Sequence, residues 1–262
     1  MDLSDAYANA AHIPGAADFP PRWSAAAEAF RAQLAEAGRF RSLAYGPGAR
    51  EALDLFLPEG EAKGLVIFVH GGYWLRFDRS VWSHFAAGPL AEGWAVAMPS
   101  YDLCPDVRIS DITRQVAAAV HNAAEEVAGP IHLTGHSAGG HLVARMLAPG
   151  MLPEAVAARI AGVVPISPLS DLAPLMQTDM NAGLKLDAAE AEAESPIHQL
   201  APNVPVTVWV GGDERPVFLD QARWLGEAWD CDVVIDAGLH HFDVIDGLAV
   251  AGSPLCRAVT GA

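Results

Sequence analysis

The chain has 262 residues, 52% of them hydrophobic, enough to bury one large core in a single α/β domain. Its 16 basic side chains stand against 32 acidic ones, a formal charge of −16, and Lys63 and Lys185 are its lysines. That balance argues against nucleic acid and anionic membranes as partners, and mildly against a polyanionic substrate such as an acyl-CoA.

Cys104, Cys231 and Cys256 are odd in number and widely spaced, so they suggest neither a disulfide framework nor a metal knuckle. The start, Met1-Asp2-Leu3-Ser4-Asp5, lacks the basic and apolar stretches of a signal peptide, and no apolar run approaches a membrane span. A cytoplasmic protein is expected.

Residues 1–38 read as an N-terminal helical segment, with Trp23, Ala27, Phe30 and Leu34 at helical spacing. Residues 39–45 and 52–57 follow as two strands joined by Gly46-Pro47-Gly48. Apolar strands are then expected at 65–69, 95–98, 131–134, 160–166, 204–210 and 233–235, with helices at 112–127, after Ser137, and at 216–229. Buried strands alternating with helices predict a mostly parallel sheet with right-handed crossovers, residues 1–262 forming one domain. Residues 170–200 break the rhythm and read either as a small lid over the sheet edge or as a solvated helical excursion.

Gly135-His136-Ser137-Ala138-Gly139 lies between a strand and the opening of a helix. A serine squeezed into that junction is lifted clear of the backbone, the nucleophile elbow of α/β-hydrolases, and the flanking glycines let helix and strand close around it. Alternation points His136 away from the nucleophile. A serine hydroxyl needs a base, and the base needs an orienting acid. In this architecture they follow in the order serine, acid, histidine. Asp213 and Glu214 end one strand, and His240 and His241 precede a helical run near the C-terminus, so each role has two adjacent candidates.

His70-Gly71-Gly72-Tyr73-Trp74 closes the strand at 65–69. Acyl transfer puts negative charge on the carbonyl oxygen, and the N–H groups of Gly71, Gly72 and Ala138 would form the oxyanion hole. Tyr73, Trp74, Phe77 and Trp82 cluster beyond it, with Tyr73 and Trp74 the candidates for a substrate wall. His70, His136, His141, His240 and His241 lack the HExxH spacing of a metal site.

With these motifs the chain resembles the kynurenine formamidase (arylformamidase) branch of the α/β-hydrolases. The likeness rests on His70 to Trp74, Tyr101-Asp102-Leu103-Cys104-Pro105, Gly135 to Gly139, Ser167 to Leu175 with its Asp171-Leu172, Ser195-Pro196-Ile197-His198, the stretch 210–218, and His241-Phe242-Asp243-Val244-Ile245. The resemblance implies a single-domain hydrolase with no metal or other cofactor, acting on an aryl formamide or related small ester. It makes Ser137 the nucleophile and His241 the base. An ungapped match through Pro216 and Phe218 favours Glu214 as the acid, with Asp213 kept as the alternative. A carboxylesterase or thioesterase would use the same groups. The expected partners are a small-molecule substrate and at most a second copy of the chain in a homodimer.

Overall fold

The apolar runs assemble into an eight-stranded sheet in the computed structural model, which describes residues 3–262. Of the helical segment expected over residues 1–38, Met1 and Asp2 lie outside the described residues. The strands are β1 (Phe40–Ala44), β2 (Ala52–Phe56), β3 (Leu65–Val69), β4 (Ala95–Pro99), β5 (Ile131–His136), β6 (Ile160–Ile166), β7 (Thr207–Gly211) and β8 (Asp232–Asp236). Their spatial order is β1-β2-β4-β3-β5-β6-β7-β8. The antiparallel pairs are β1 with β2 and β2 with β4, and from β4 to β8 every neighbour is parallel.

Because β4 lies on one side of β3 and β5 on the other, the winding reverses beside β3. In open parallel sheets the loops leaving such a point splay apart and form a crevice at the C-terminal strand ends. The segments beginning at His70 and at Ser137 leave β3 and β5 there.

The central strands carry no polar alternation because both faces are covered. Leu65, Ile67 and Val69 of β3 join the core beneath the helices Ile109–Glu126 and Pro216–Trp229. Val66 and Phe68 face the helices Phe19–Glu36 and Pro254–Thr260. Fully burying each such side chain stabilises the fold by about 1.5–3 kcal/mol, so the strand ends are a rigid base for the loops. The first long helix starts at Phe19, four residues before the apolar spacing suggests, because Pro20 and Pro21 fit its first turn, where no N–H partner is needed.

Residues 170–200 hold two 3-10 turns, Ala173–Gln177 and Pro196–His198, and two short helices, Asn181–Leu184 and Ala188–Glu194. Glu190 accepts from Arg108 Nε at 2.8 Å, and Glu194 from Arg145 Nε at 3.1 Å and Thr113 Oγ1 at 2.7 Å. The segment is thus bolted to the helix Ile109–Glu126 and to the helix that follows Ser137. Among the described residues no helix is long and apolar enough to cross a membrane.

Candidate active site

β5 ends at His136 and the helix Ala138–Arg145 begins two residues later, so Ser137 alone makes the reversal. Its backbone sits at φ 57°, ψ −117°, a region costing about 1–3 kcal/mol for a residue with a Cβ. Its neighbours offset the strain by close packing. A Cβ on Gly139 would fall 1.9 Å from the Val69 carbonyl oxygen, so only glycine lets the helix dock on β3. The Ser137 N–H donates to the Ile166 carbonyl at 2.8 Å, which ties the turn to β6.

The loop after β3 rests directly on this serine. A Cβ on Gly71 would lie 2.7 Å from the His136 carbonyl oxygen and 3.0 Å from Ser137 Cβ. The N–H groups of Gly71 and Gly72 have no acceptor among the described residues. Ala138 opens its helix, where N–H groups lack intrahelical partners. His70 pins the loop from below: its ring stacks on Tyr101 with centroids 4.3 Å apart, and Nδ1 lies 2.8 Å from the Gly71 carbonyl oxygen. Burial lowers the His70 pKa to about 4, so the ring is neutral near pH 7 and Nδ1–H donates to that carbonyl.

On the far side of Ser137 a buried polar chain converges. His241 Nδ1 is 2.6 Å from Glu214 Oε2. The other carboxylate oxygen of Glu214 accepts from Ser167 Oγ at 2.5 Å and from the Gly211 N–H at 2.9 Å. The His241 ring packs between Phe218, centroid distance 4.4 Å, and His136, 4.6 Å. Ser137 and His241 both line one cavity of ≈ 690 Å³. Of the two acids at the end of β7, Glu214 meets the imidazole. Asp213 uses its N–H to bond the Leu239 carbonyl at 2.9 Å and turns its side chain to solvent. Of the two histidines, His240 pairs instead with Asp243, Nδ1 to Oδ1 3.0 Å.

Several expected placements need correction. Trp74 is fully buried, its ring edge-on to His141 at 5.0 Å, and does not border the cavity. Tyr73 and Trp74 both have positive φ, 55° and 57°, which breaks strand alternation and sends one ring to the cavity and the other into the core. His136 does not point away: it borders the cavity beside His241, and burial holds its pKa well below the usual histidine value. Neither of its ring nitrogens has a partner among the described residues. Ser167, the clamp on Glu214, opens the stretch Ser167 to Leu175 that carries part of the family resemblance, but neither the motifs nor the resemblance gives it a role in the site.

The N-terminal segment supplies much of the cavity wall, including Tyr7, Asn9, Pro20 and Trp23. Tyr73 Oη donates to the Tyr7 carbonyl at 2.6 Å, Gln221 Nε2 donates to Tyr7 Oη at 2.9 Å, and Arg215 pairs with Asp5 at 3.0 Å. Nothing local in residues 1–38 announces these contacts, which join positions far apart along the chain. The segment 170–200 contributes Asp179 and Met180. Among the described residues no group of three or more His, Cys, Asp or Glu side chains converges to hold a metal ion.

A strained serine between parallel strand and helix, with a glycine loop against it and an imidazole–carboxylate pair on the same cavity, is the arrangement of one family. The chain belongs to the α/β-hydrolases: the profile of a family described by the alpha/beta hydrolase fold matches residues 66–207. It is an enzyme of the serine hydrolase type, similar to formamidases and esterases. It is 32% identical over 224 residues to kynurenine formamidase of Salmo salar, covering 78% of this chain and 75% of that one. Kynurenine formamidase of Drosophila melanogaster is 29% identical over 245 residues, 82% of this chain and 78% of its own. A crystal structure from Silicibacter sp. TM1040, described as a candidate thioesterase, superposes with a TM-score of 0.97 at 62% identity, covering 99% of both chains.

Proposed function

We propose that the protein hydrolyses a small aryl formamide, of the N-formylkynurenine kind, through an acyl-Ser137 intermediate. The observation that carries this reading is the opening of Ser137 and of the Glu214-bound His241 onto one cavity. With its Nδ1–H given to Glu214, His241 keeps Nε2 as the proton acceptor. It takes the Ser137 proton as Oγ attacks the carbonyl carbon, and the N–H groups of Gly71, Gly72 and Ala138 receive the developing oxyanion. Collapse expels the arylamine, which takes the proton from His241. Water, deprotonated by the same ring, then releases formate from the serine.

Glu214 suits the orienting role because its other partners, Ser167 and the Gly211 N–H, are neutral. Among the described residues no Lys or Arg competes for the charge that steadies the imidazolium. The cavity walls are largely aromatic and aliphatic, with Trp23, Phe77, Trp82 and Phe242 among them, which suits an aryl group. The free cysteines fit a cytoplasmic setting.

A thioesterase is the second reading, favoured by the 62% identical structure described with that activity. Against a nucleotide-bearing thioester stand the charge of −16 and the scarcity of lysine. The test is a panel of N-formylkynurenine, p-nitrophenyl acetate and an acyl thioester, each with the wild type and Ser137→Ala. N-formylkynurenine should have the highest kcat/KM, and the variant should be folded and inactive. Preference for the thioester would replace the substrate assignment, and an active variant would remove the mechanism.

A further inference from the structure

We infer that Arg76 and Asp179 form a two-charge clamp at the rim of the cavity that recognises a zwitterionic amino-acid head group on the substrate's leaving half. The inference rests on Ser137 being the reacting group.

The cavity is far larger than a formyl or acetyl unit requires, and its walls are mainly apolar. Apart from the ionisable groups beside the serine, Arg76 and Asp179 are the charged side chains on its wall among the described residues. Both are exposed, and they come from different elements, Arg76 from the loop after β3 and Asp179 from the segment 170–200. Neither side chain has an ion pair or hydrogen bond among the described residues, and they do not pair with each other.

The state of Arg76 is unusual for this molecule. Of fourteen arginines, twelve bind carboxylates, carbonyls or hydroxyls. Arg22 lies over the Phe19 ring at 4.3 Å. In a chain with twice as many acids as bases, Arg76 still pairs with no acid among the described residues, and it borders the cavity that holds the serine. A guanidinium offers a planar fork of donors matched to a carboxylate. An unpaired carboxylate on the same wall suits an ammonium group. An α-amino acid carries both charges on adjacent atoms, whereas a neutral ester would use neither and a polyanion would be repelled by Asp179. The 170–200 segment thereby gains a part in recognition. The contacts of Glu190 and Glu194 hold it in place, and it presents Asp179 to the cavity.

The test compares kcat/KM ratios within two substrate pairs. The first pair is N-formylkynurenine against 2-formamidoacetophenone, the same aryl formamide without the amino-acid head. The second is O-acetyl-L-tyrosine against p-tolyl acetate. Arg76→Gln should lower the charged-to-neutral ratio by about tenfold, mainly through KM, and Asp179→Asn by about threefold. Arg76→Lys should restore part of the ratio, because a point charge keeps the attraction without the fork. If the wild type cleaves no formamide but favours O-acetyl-L-tyrosine in an Arg76-dependent way, the clamp stands and the formamidase reading fails. If it cleaves the formamides and Arg76→Gln leaves the ratio within about twofold, the clamp fails and the formamidase reading survives. Ratios near unity for the wild type in both pairs also overturn the clamp.

Discussion

One buried histidine–glutamate cluster shares a cavity with Ser137, the residue before the helix Ala138–Arg145, and a second is built on that helix's own His141 and Arg145. His241 gives Nδ1 to the Glu214 carboxylate, whose remaining partners are a serine hydroxyl and a backbone N–H, and the ring borders a cavity. His141 gives Nε2 to the Glu194 backbone carbonyl at 2.8 Å and is enclosed against Trp74. The Glu194 carboxylate is occupied by Arg145 and Thr113, and those two groups with His141 hold its pKa below the ordinary value against the opposing pull of burial. Burial and residue type are shared. What differs is whether a cation already neutralises the carboxylate and whether the imidazole has open space beside it.

Removing each carboxylate's charge should have opposite consequences in the two clusters. Glu214→Gln should lower kcat by about 10³–10⁴, because the amide no longer favours the productive imidazole tautomer. The fold should persist by circular dichroism. Glu194→Gln should do the reverse: it leaves Arg145 buried without its anion, costing about 3 kcal/mol of stability and a lower unfolding midpoint, with kcat little changed. Exchanged outcomes would mean that the roles of the two clusters have been reversed.

A second contrast lies in pH. Burial holds His70 and His141 at about 4, below the unfolded value near 6.5. The unfolded chain therefore binds protons that the folded one refuses between those values. Stability contributed by their neutrality is full above about pH 6.5 and is lost as pH falls toward 4, about 3 kcal/mol for each ring at the acid limit. Urea denaturation at stepped pH should show the decline, and His141→Gln should make it shallower. A flat profile across that window would contradict the burial argument.

Smaller effects sharpen the acid side. Ser167→Ala should cost about tenfold in kcat by loosening Glu214, since one hydrogen bond to a charged group is worth about 1.5–3 kcal/mol and the Gly211 N–H remains. Asp213→Asn, a change at an exposed side chain, should alter steady-state activity by less than about twofold. A large loss there would reopen the choice of acid.

Much of the fold is readable because period and length carry the signal. The eight apolar runs correspond to the eight strands within a few residues, and the Gly135 to Gly139 segment has its strand and helix on the expected sides. The site is less legible where a single backbone rotation decides. Around Gly211 to Arg215 one position separates a side chain on His241 from one in water, and composition does not encode which. Trp74 departs from expectation for the same reason, since consecutive positive-φ residues do not follow strand alternation. The wall built by Tyr7 and its neighbours depends on contacts with Tyr73 and Gln221, distant partners that no local pattern reveals.

Ser137 Oγ must be the atom that is acylated for any of this chemistry to hold. Treating the wild-type protein with a fluorophosphonate and mapping the adduct by peptide mass spectrometry tests this directly. The prediction is a single stoichiometric adduct on the peptide carrying Ser137, absent in Ser137→Ala and strongly slowed in Glu214→Gln. An adduct on a different residue, or an active enzyme that the reagent leaves unmodified, would contradict it.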